Sequence, residues 1–277
     1  MNLNVNCLLF VIPLFLLPIV LKSIRWKKIL EIQGIELPAS RALLYYVASL
    51  FWGIITPGRI GEGVKVLYLR KQGISTGRSA LSIILDRLFD LGALLLLDGI
   101  GVFIFFGLRW SLISLSIVGI VCWVLWKIRE KTPWSGMLSW LFSLLPERLK
   151  GDLSQLGKQF RTDMEKFSSP NIMLLGIFSV LIWFLYASPF LLFGEAVGIE
   201  ISPFFLIMGI FCSALVAMLP ISIGGVGTRE AFFIYYLGKF GIPKEESLLF
   251  SFMFIYLHIF ALVLGLCALL VKRQINP

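Results

Sequence analysis

The chain contains two related glycine-interrupted motifs that lie about 168 residues apart. The first is Pro-Gly-Arg-Ile-Gly-Glu at 57–62, and the second is Gly-Gly-Val-Gly-Thr-Arg-Glu at 224–230. Apolar segments flank each motif, and a Lys-x-Gly-Ile sequence, at 71–74 and at 239–242, then leads into a long apolar run. Paired glycine-interrupted segments in two halves of a membrane protein indicate a central transport site.

The composition is that of an integral membrane protein. Of the 277 residues, 58% are hydrophobic and only 15% are charged, and the mean hydropathy is +0.91. These values exclude a soluble core and predict an all-α polytopic membrane protein. The predicted apolar segments are 5–21, 42–56, 79–107, 111–127, 171–192, 203–220 and 247–271.

Signatures of metal, disulfide and enzyme chemistry are absent from the sequence. Four cysteines are scattered through apolar runs without paired spacing, and there is one histidine, so we expect no disulfide, no metal site and no cofactor. The chain has no Walker loop and no Gly-x-Ser-x-Gly elbow. We therefore expect no enzyme activity; a membrane-embedded transferase that uses Asp86 or Asp90 as a base is the alternative.

The distribution of basic residues favours one topology over another. If all seven segments crossed the membrane, the 22 Lys and Arg outside the apolar register would divide 14 to 8 between the two sides. If 42–72 and 203–240 are re-entrant hairpins, the division becomes 19 to 3. The positive-inside rule prefers the second arrangement, with five crossings, inverted repeats and a cytoplasmic carboxyl terminus.

The predicted organisation is one membrane domain over residues 1–277 with two repeats. Repeat one covers about 40–107 and repeat two about 203–271. Between them, at about 147–168, apolar residues recur every three or four positions among charged ones, which predicts an amphipathic helix. This helix lies either on the cytoplasmic membrane surface or against the helix bundle.

Charged residues within the apolar segments mark the candidate site, because each costs free energy to insert. A glycine break exposes backbone N–H groups, and a neighbouring arginine offers a bidentate fork, so the motifs predict binding of a phosphate-bearing substrate. The predicted substrate-binding residues are Gly58, Arg59, Gly61, Glu62, Lys65, Arg87, Gly224, Gly225, Gly227, Arg229 and Glu230. A proton-linked switch is predicted at Asp86, Asp90 and His258, since Asp90 falls on His258 when the repeats are superposed.

Each of these predictions has a structural alternative. The glycines are also what close helix packing would require. The charges would equally form internal salt bridges, namely Arg59 with Glu62, Arg229 with Glu230, and Arg87 with its neighbours Asp86 and Asp90. His258 on an apolar helix would then be an ordinary interior residue.

The two motifs resemble those of the lysylphosphatidylglycerol synthase transmembrane-region family, whose members include flippase-like proteins. The resemblance rests on 57–62 continuing to Asp-Arg-Leu-Phe-Asp at 86–90, and on a second block over 223–231. The sequence departs from many relatives at Tyr-Leu-His over 256–258, where an arginine often follows the tyrosine. No soluble aminoacyl-transferase domain follows residue 271, so the resemblance does not extend to synthase activity.

The resemblance implies a lipid flippase in a prokaryotic cytoplasmic membrane. The implied substrate is a phospholipid, such as an aminoacylated phosphatidylglycerol, or a polyprenyl-phosphate-linked sugar. The expected partners are membrane lipids with anionic phosphate headgroups, together with a glycosyltransferase or a lipid-synthesising enzyme, and no nucleic acid. The alternative is an accessory subunit or a lipid-phosphate transferase of envelope glycolipid synthesis.

Overall fold

A computed structural model of the chain describes residues 5–109, 112, 116, 119, 162–219 and 221–275. The predicted segment at 111–127 lies almost entirely outside the described residues, as does most of the predicted amphipathic helix at 147–168. The described part is all-helical, as predicted, and contains no β-strand. Its α-helices are α1 (Val5–Ile32), α2 (Ala39–Ile55), α3 (Lys65–Arg70), α4 (Thr76–Phe106), α5 (Ser169–Val197), α6 (Pro203–Met218), α7 (Thr228–Gly238) and α8 (Lys244–Ile275).

The helices occur in the same order in both halves. A long helix and a medium helix precede the motif, and a short helix and a second long helix follow it. In the first half a 3₁₀ turn at Ile60–Val64 joins the motif to α3. The two short helices, α3 and α7, end in glycine turns of the same type. Gly73 and Gly241 each have φ +79. The N–H of the following isoleucine donates a 3.2 Å hydrogen bond to the carbonyl of Leu69 or of Leu237.

Each medium helix packs against the second long helix of the other half. Helix α2 lies against α8, and α6 lies against α4. Glycines permit both approaches: a Cβ on Gly265 would lie 2.8 Å from the backbone nitrogen of Phe51, and one on Gly101 would lie 3.1 Å from Met208. The two halves are therefore interlocked and form a common core, with α1 packed along α5.

The two ends of each motif-containing segment lie beside each other. In the first half, Arg41 near the start of α2 donates a hydrogen bond of 3.0 Å to Gln72 just beyond α3. In the second half, the Tyr236 hydroxyl in α7 donates 2.6 Å to the carbonyl of Phe205 near the start of α6. The start and the end of each segment are thus close together in the structure.

Two described helices are long and apolar enough to cross a membrane. These are Ser169–Val197 and the Lys244–Lys272 part of α8. The structure corrects one predicted boundary: α1 extends to Ile32 rather than ending near residue 21, although it contains Lys22 and Arg25. Both basic side chains are buried, so α1 is not a purely apolar segment.

We predict that Gly265→Ala destabilises the protein by about 1–3 kcal/mol, because the added methyl group would overlap the backbone of α2. Thermal unfolding in detergent measures the effect. Gly176→Ala on α5 is the matched control, since nothing lies within 4 Å of its added Cβ. Equal melting temperatures for the two variants would contradict the close approach of α2 and α8.

Candidate functional site

The two motifs meet in the structure. Pro57 and Ile223 form an isolated antiparallel β-bridge, which places one motif directly beside the other. Backbone of unusual conformation surrounds the bridge: Gly58, Gly224 and Gly225 have positive φ, and so does Arg59, at +57. The two motifs, which come from opposite halves of the chain, are therefore adjacent in the structure.

A small cavity of about 40 Å³ lies beside this junction and is surrounded by positive charge. Lys22, Arg59 and Arg229 line it, together with His258, and it has no carboxylate in its described lining. Aromatic rings close another part of the wall, since Trp183 and Tyr186 of α5 also line it. Such a cavity is suited to an anion.

Arg229 is a buried cation without a carboxylate partner among the described residues. It is 5% exposed, its guanidinium lies 4.5 Å from the centre of the Phe254 ring, and its Nε has no hydrogen-bond partner. The salt bridge to Glu230 considered above is wrong: one Glu230 carboxylate oxygen accepts the Gly227 N–H and caps the start of α7. Arg229 thus keeps its hydrogen-bonding capacity for another group.

Arg59 reaches the same cavity from the first motif. Its left-handed backbone conformation is strained for a side-chain-bearing residue, which is characteristic of functional sites. The Nε of Arg59 lies 3.8 Å from a Glu62 carboxylate oxygen, so this ion pair is long. The guanidinium is therefore only loosely held and remains available to a ligand.

Beneath the cavity, α1 and α4 are joined by a buried ion-pair network. Arg25 contacts Asp86 at 2.7 Å and Asp90 at 2.9 Å, and it also donates to Ser179 of α5 at 2.8 Å. Lys22 contacts Asp90 at 2.9 Å, and its ammonium lies 4.3 Å from the Trp183 ring centre. Charges at this depth are tolerated because each is paired and hydrogen-bonded.

The expected pairing of Arg87 with Asp86 and Asp90 is wrong. Arg87 instead contacts Glu62 at 2.5 Å. The Lys65 ammonium connects the Arg87–Glu62 pair to the Arg25–Asp86 pair, since it lies 3.7 Å from a Glu62 oxygen and 3.4 Å from an Asp86 oxygen. Asp86 and Arg87 are consecutive in α4 and project about 100° apart, so Arg87 contacts Glu62 of the first motif while Asp86 contacts Arg25 of α1.

His258 and Asp90 come from opposite halves and line the same cavity. Both line a further cavity of about 50 Å³, together with Arg59 and Glu62. The His258 Nδ1 lies 2.6 Å from the carbonyl of Phe254, and a carbonyl only accepts, so Nδ1 carries hydrogen. In the neutral ring this leaves Nε2 as an acceptor.

A larger, mainly apolar cavity of about 390 Å³ adjoins the cationic one. The two cavities share Gly224, Arg229 and His258. The larger one is lined by side chains of α2, the second motif and α8, principally isoleucines such as Ile54 and Ile259. A polar pocket and an apolar cavity that meet at one arginine form an amphipathic site.

A family model described as "Lysylphosphatidylglycerol synthase TM region" matches residues 1–267. The chain belongs to this family. It is therefore a membrane protein, as its composition and its two long apolar helices also indicate. Comparison with the curated proteins and with the solved structures gave no match.

In this family member, the predicted substrate-binding residues fall into four groups. Arg59, Gly224 and Arg229 line the cationic cavity, whereas Gly225 and Glu230 line the apolar one and Glu62 lines the third. The others lie outside the described linings of these three cavities and have positions in the framework; they are Gly58, Gly61, Lys65, Arg87 and Gly227.

The framework positions have clear physical roles. Lys65 is fully buried, with its ammonium 4.4 Å from the Tyr46 ring centre and within reach of two carboxylates. Gly61 lies so close to α2 that an added Cβ would be 2.0 Å from the carbonyl oxygen of Trp52. For Gly61 the packing alternative is therefore the better explanation, whereas a Cβ on Gly224 would have no contact closer than 3.5 Å.

The sequence prediction missed Lys22 and Arg25. Both were counted among the cytoplasmic basic residues, because they directly follow the apolar run at 5–21. A usable signal was present: positions 22 and 25 lie three residues apart and so share one helix face, opposite a carboxylate pair that needs partners.

We predict that Arg25→Met destabilises the protein by about 3–5 kcal/mol, because it leaves two buried carboxylates without their principal partner. Thermal unfolding in detergent measures the loss. Arg70→Met, at an exposed arginine of α3, is the matched control and should leave the melting temperature nearly unchanged. Similar melting temperatures for both variants would refute a structural role for the Arg25 network.

Proposed function

We propose that this protein is a lipid translocator, which moves a phosphate-bearing lipid between the two leaflets of a prokaryotic cytoplasmic membrane. The observation that supports this best is the buried Arg229 guanidinium, which has no carboxylate partner among the described residues and lies where a cationic pocket meets an apolar cavity. Family membership is compatible with this function.

The polar part of the proposed substrate binds between the two motifs. Arg59 and Arg229 approach the pocket from opposite halves of the chain, and Lys22 contributes a third positive charge. Guanidinium groups bind phosphate oxygens through paired, charge-assisted hydrogen bonds. The bound phosphate would supply the partner that the Arg229 Nε otherwise lacks.

The apolar part of the substrate occupies the adjoining cavity. Its 390 Å³ volume and isoleucine-rich wall suit a segment of acyl or isoprenoid chain. A free inorganic anion would use only the smaller pocket, so the apolar cavity favours a lipid.

The contacts of the motif segments support re-entrant hairpins and inverted repeats. The ends of each segment lie beside each other, at Arg41–Gln72 in the first half and at Phe205–Tyr236 in the second. The first hairpin begins just after α1 ends, whereas the second begins just after α5 ends. Because α1 and α5 run antiparallel in the proposed topology, the hairpins enter from opposite faces and meet at the Pro57–Ile223 bridge.

The charge distribution still supports a cytoplasmic carboxyl terminus. Lys22, Arg25 and Lys65 belong to the buried ion-pair network, so they no longer count as cytoplasmic, and the division of the remaining basic residues becomes 16 to 3. The Lys272 ammonium near the end of α8 lies 3.9 Å from the Tyr68 ring centre in α3. This contact supports placing the end of α8 on the same, basic side as the ends of the first hairpin.

Transport by this arrangement would require no covalent chemistry. Rocking of the interlocked halves would open the site to one leaflet and then to the other. The ion pairs of Asp86 and Asp90 argue against their use as a general base, which weakens the transferase alternative. For the proposed proton-linked step, His258 has an Nε2 without a protein partner among the described residues, but the three cations of the same pocket disfavour its protonated form unless an anion is bound.

We predict that Arg59→Ala and Arg229→Ala each reduce lipid movement to the protein-free rate, because each removes a guanidinium from the phosphate site. The lysine variants should retain part of the activity, since lysine keeps the charge and loses the bidentate geometry. The assay uses purified protein in liposomes with fluorescent phosphatidylglycerol or labelled polyprenyl phosphate, and measures lipid that becomes accessible on the other leaflet.

The control for these variants is Arg70→Ala, which removes an exposed arginine and should transport at the wild-type rate. Melting temperatures verify that every variant is folded. Full transport by both alanine variants would contradict the proposed site. Wild-type protein that moves no lipid by itself, yet stimulates an added glycosyltransferase, would instead favour the accessory-subunit alternative.

We predict that single cysteines at Ser40 and Lys71 label only from the cytoplasmic side, and that those at Ser202 and Lys239 label only from the other side. Each pair brackets one proposed hairpin, and all four positions are exposed. The measurement is labelling with an impermeant maleimide in a cysteine-free background. Labelling of Ser40 and Lys71 from opposite faces would rule out a re-entrant first hairpin.

A further inference from the structure

The interior charges around the site do not balance. Six cationic side chains belong to the ion-pair network or line the cationic cavity; they are Lys22, Arg25, Arg59, Lys65, Arg87 and Arg229. Three carboxylates oppose them, those of Glu62, Asp86 and Asp90. The described part of the site therefore has an excess of three positive charges.

The excess persists when the nearest further carboxylate is included. Glu230 lines the apolar cavity, and counting it lowers the excess from three to two. One of its oxygens is already engaged by the Gly227 N–H at the start of α7. Four of the six cations are buried, and the side chains of Arg59 and Arg87 are 27% exposed, so water screens most of this charge poorly. An anion bound here is expected to supply at least two negative charges.

The same charges act against a cationic headgroup. The cationic cavity has three basic side chains and no carboxylate in its described lining. The carboxylates of the neighbouring cavity, Glu62 and Asp90, are already paired with Arg87, Arg25 and Lys22. An ammonium group placed beside the phosphate would meet three like charges and no carboxylate within this pocket, which costs binding free energy. The one unpartnered Glu230 oxygen belongs to the lining of the adjoining apolar cavity.

We propose, on the basis of the translocator function above, that the substrate is a lipid with a dianionic phosphate, either a phosphate monoester or a diphosphate, and without an ammonium group. The site then discriminates against phosphodiester lipids with one negative charge, and most strongly against aminoacylated phosphatidylglycerol. Specificity arises from the number of charges on the lipid, since Arg59, Lys22 and Arg229 converge on one small pocket.

The test is lipid competition on purified full-length protein, read by native mass spectrometry at pH 8. The probes are phosphatidate and polyprenyl phosphate as monoesters, phosphatidylglycerol as the phosphodiester, and lysylphosphatidylglycerol as the cationic lipid. We expect the affinity for the monoesters to be higher than that for phosphatidylglycerol by about tenfold or more, and lysylphosphatidylglycerol to bind most weakly. Equal binding of all four lipids, or a preference for the lysyl lipid, would overturn the proposal.

Arg229→Gln tests whether the selectivity comes from this site. It keeps a polar side chain but removes one positive charge, so the preference for monoesters should fall by about tenfold. Arg70→Gln removes an exposed arginine and should leave the preference unchanged. An unchanged preference in Arg229→Gln would overturn the assignment of selectivity to this pocket.

Two further measurements distinguish a lipid ligand from inorganic phosphate, and a failure of the selectivity proposal from a failure of the translocator function. Bound monoester lipid that resists a tenfold excess of inorganic phosphate supports a lipid substrate, whereas its complete displacement would overturn one. Translocation of polyprenyl phosphate and of phosphatidylglycerol is measured in parallel in liposomes. If lipids move without charge selectivity, the selectivity proposal is wrong and the translocator function stands; if no lipid moves or binds, the translocator function itself is wrong.

Discussion

The cost of placing charge in an apolar environment governs the arrangement of this protein. Arg25 is fully buried, and it meets Asp86, Asp90 and Ser179 through one guanidinium. These contacts fix three helices, α1, α4 and α5, at one point. An ammonium or carboxylate at that depth is stable only with its partner present, so the helices cannot separate without exposing unpaired charge.

The same network supports the site above it. Lys65 joins Asp86 to Glu62, and Glu62 in turn holds Arg87 and weakly holds Arg59. The position of the first motif therefore depends on ion pairs that begin in α1. The second motif has no such support among the described residues: Arg229 packs on the Phe254 ring and has no carboxylate within ion-pair distance. This asymmetry distinguishes the framework charges from the proposed ligand-binding charge.

Aromatic packing takes the place of ion pairs in the second half. Phe254 stacks on Phe190 with ring centres 3.7 Å apart, and Phe233 lies 5.3 Å from the same ring. These rings join α5, α7 and α8 and form the surface on which Arg229 rests. A guanidinium on an aromatic face is stabilised by cation–π attraction while its N–H edges remain free. That geometry suits an arginine that binds a ligand.

The sequence by itself determined the family, the helical membrane class and the two motifs, because hydropathy and glycine positions are local properties of the chain. It also identified Arg59 and Arg229 as candidates. Only the tertiary structure decided the partners of the charges, since Arg25 lies 61 residues from Asp86 and no local pattern records such a distance. Ion pairs and close packing depend on which helix faces meet. For this reason the sequence did not predict that Arg87 pairs with Glu62, that Gly61 packs against α2, or that Lys22 lines the cationic cavity.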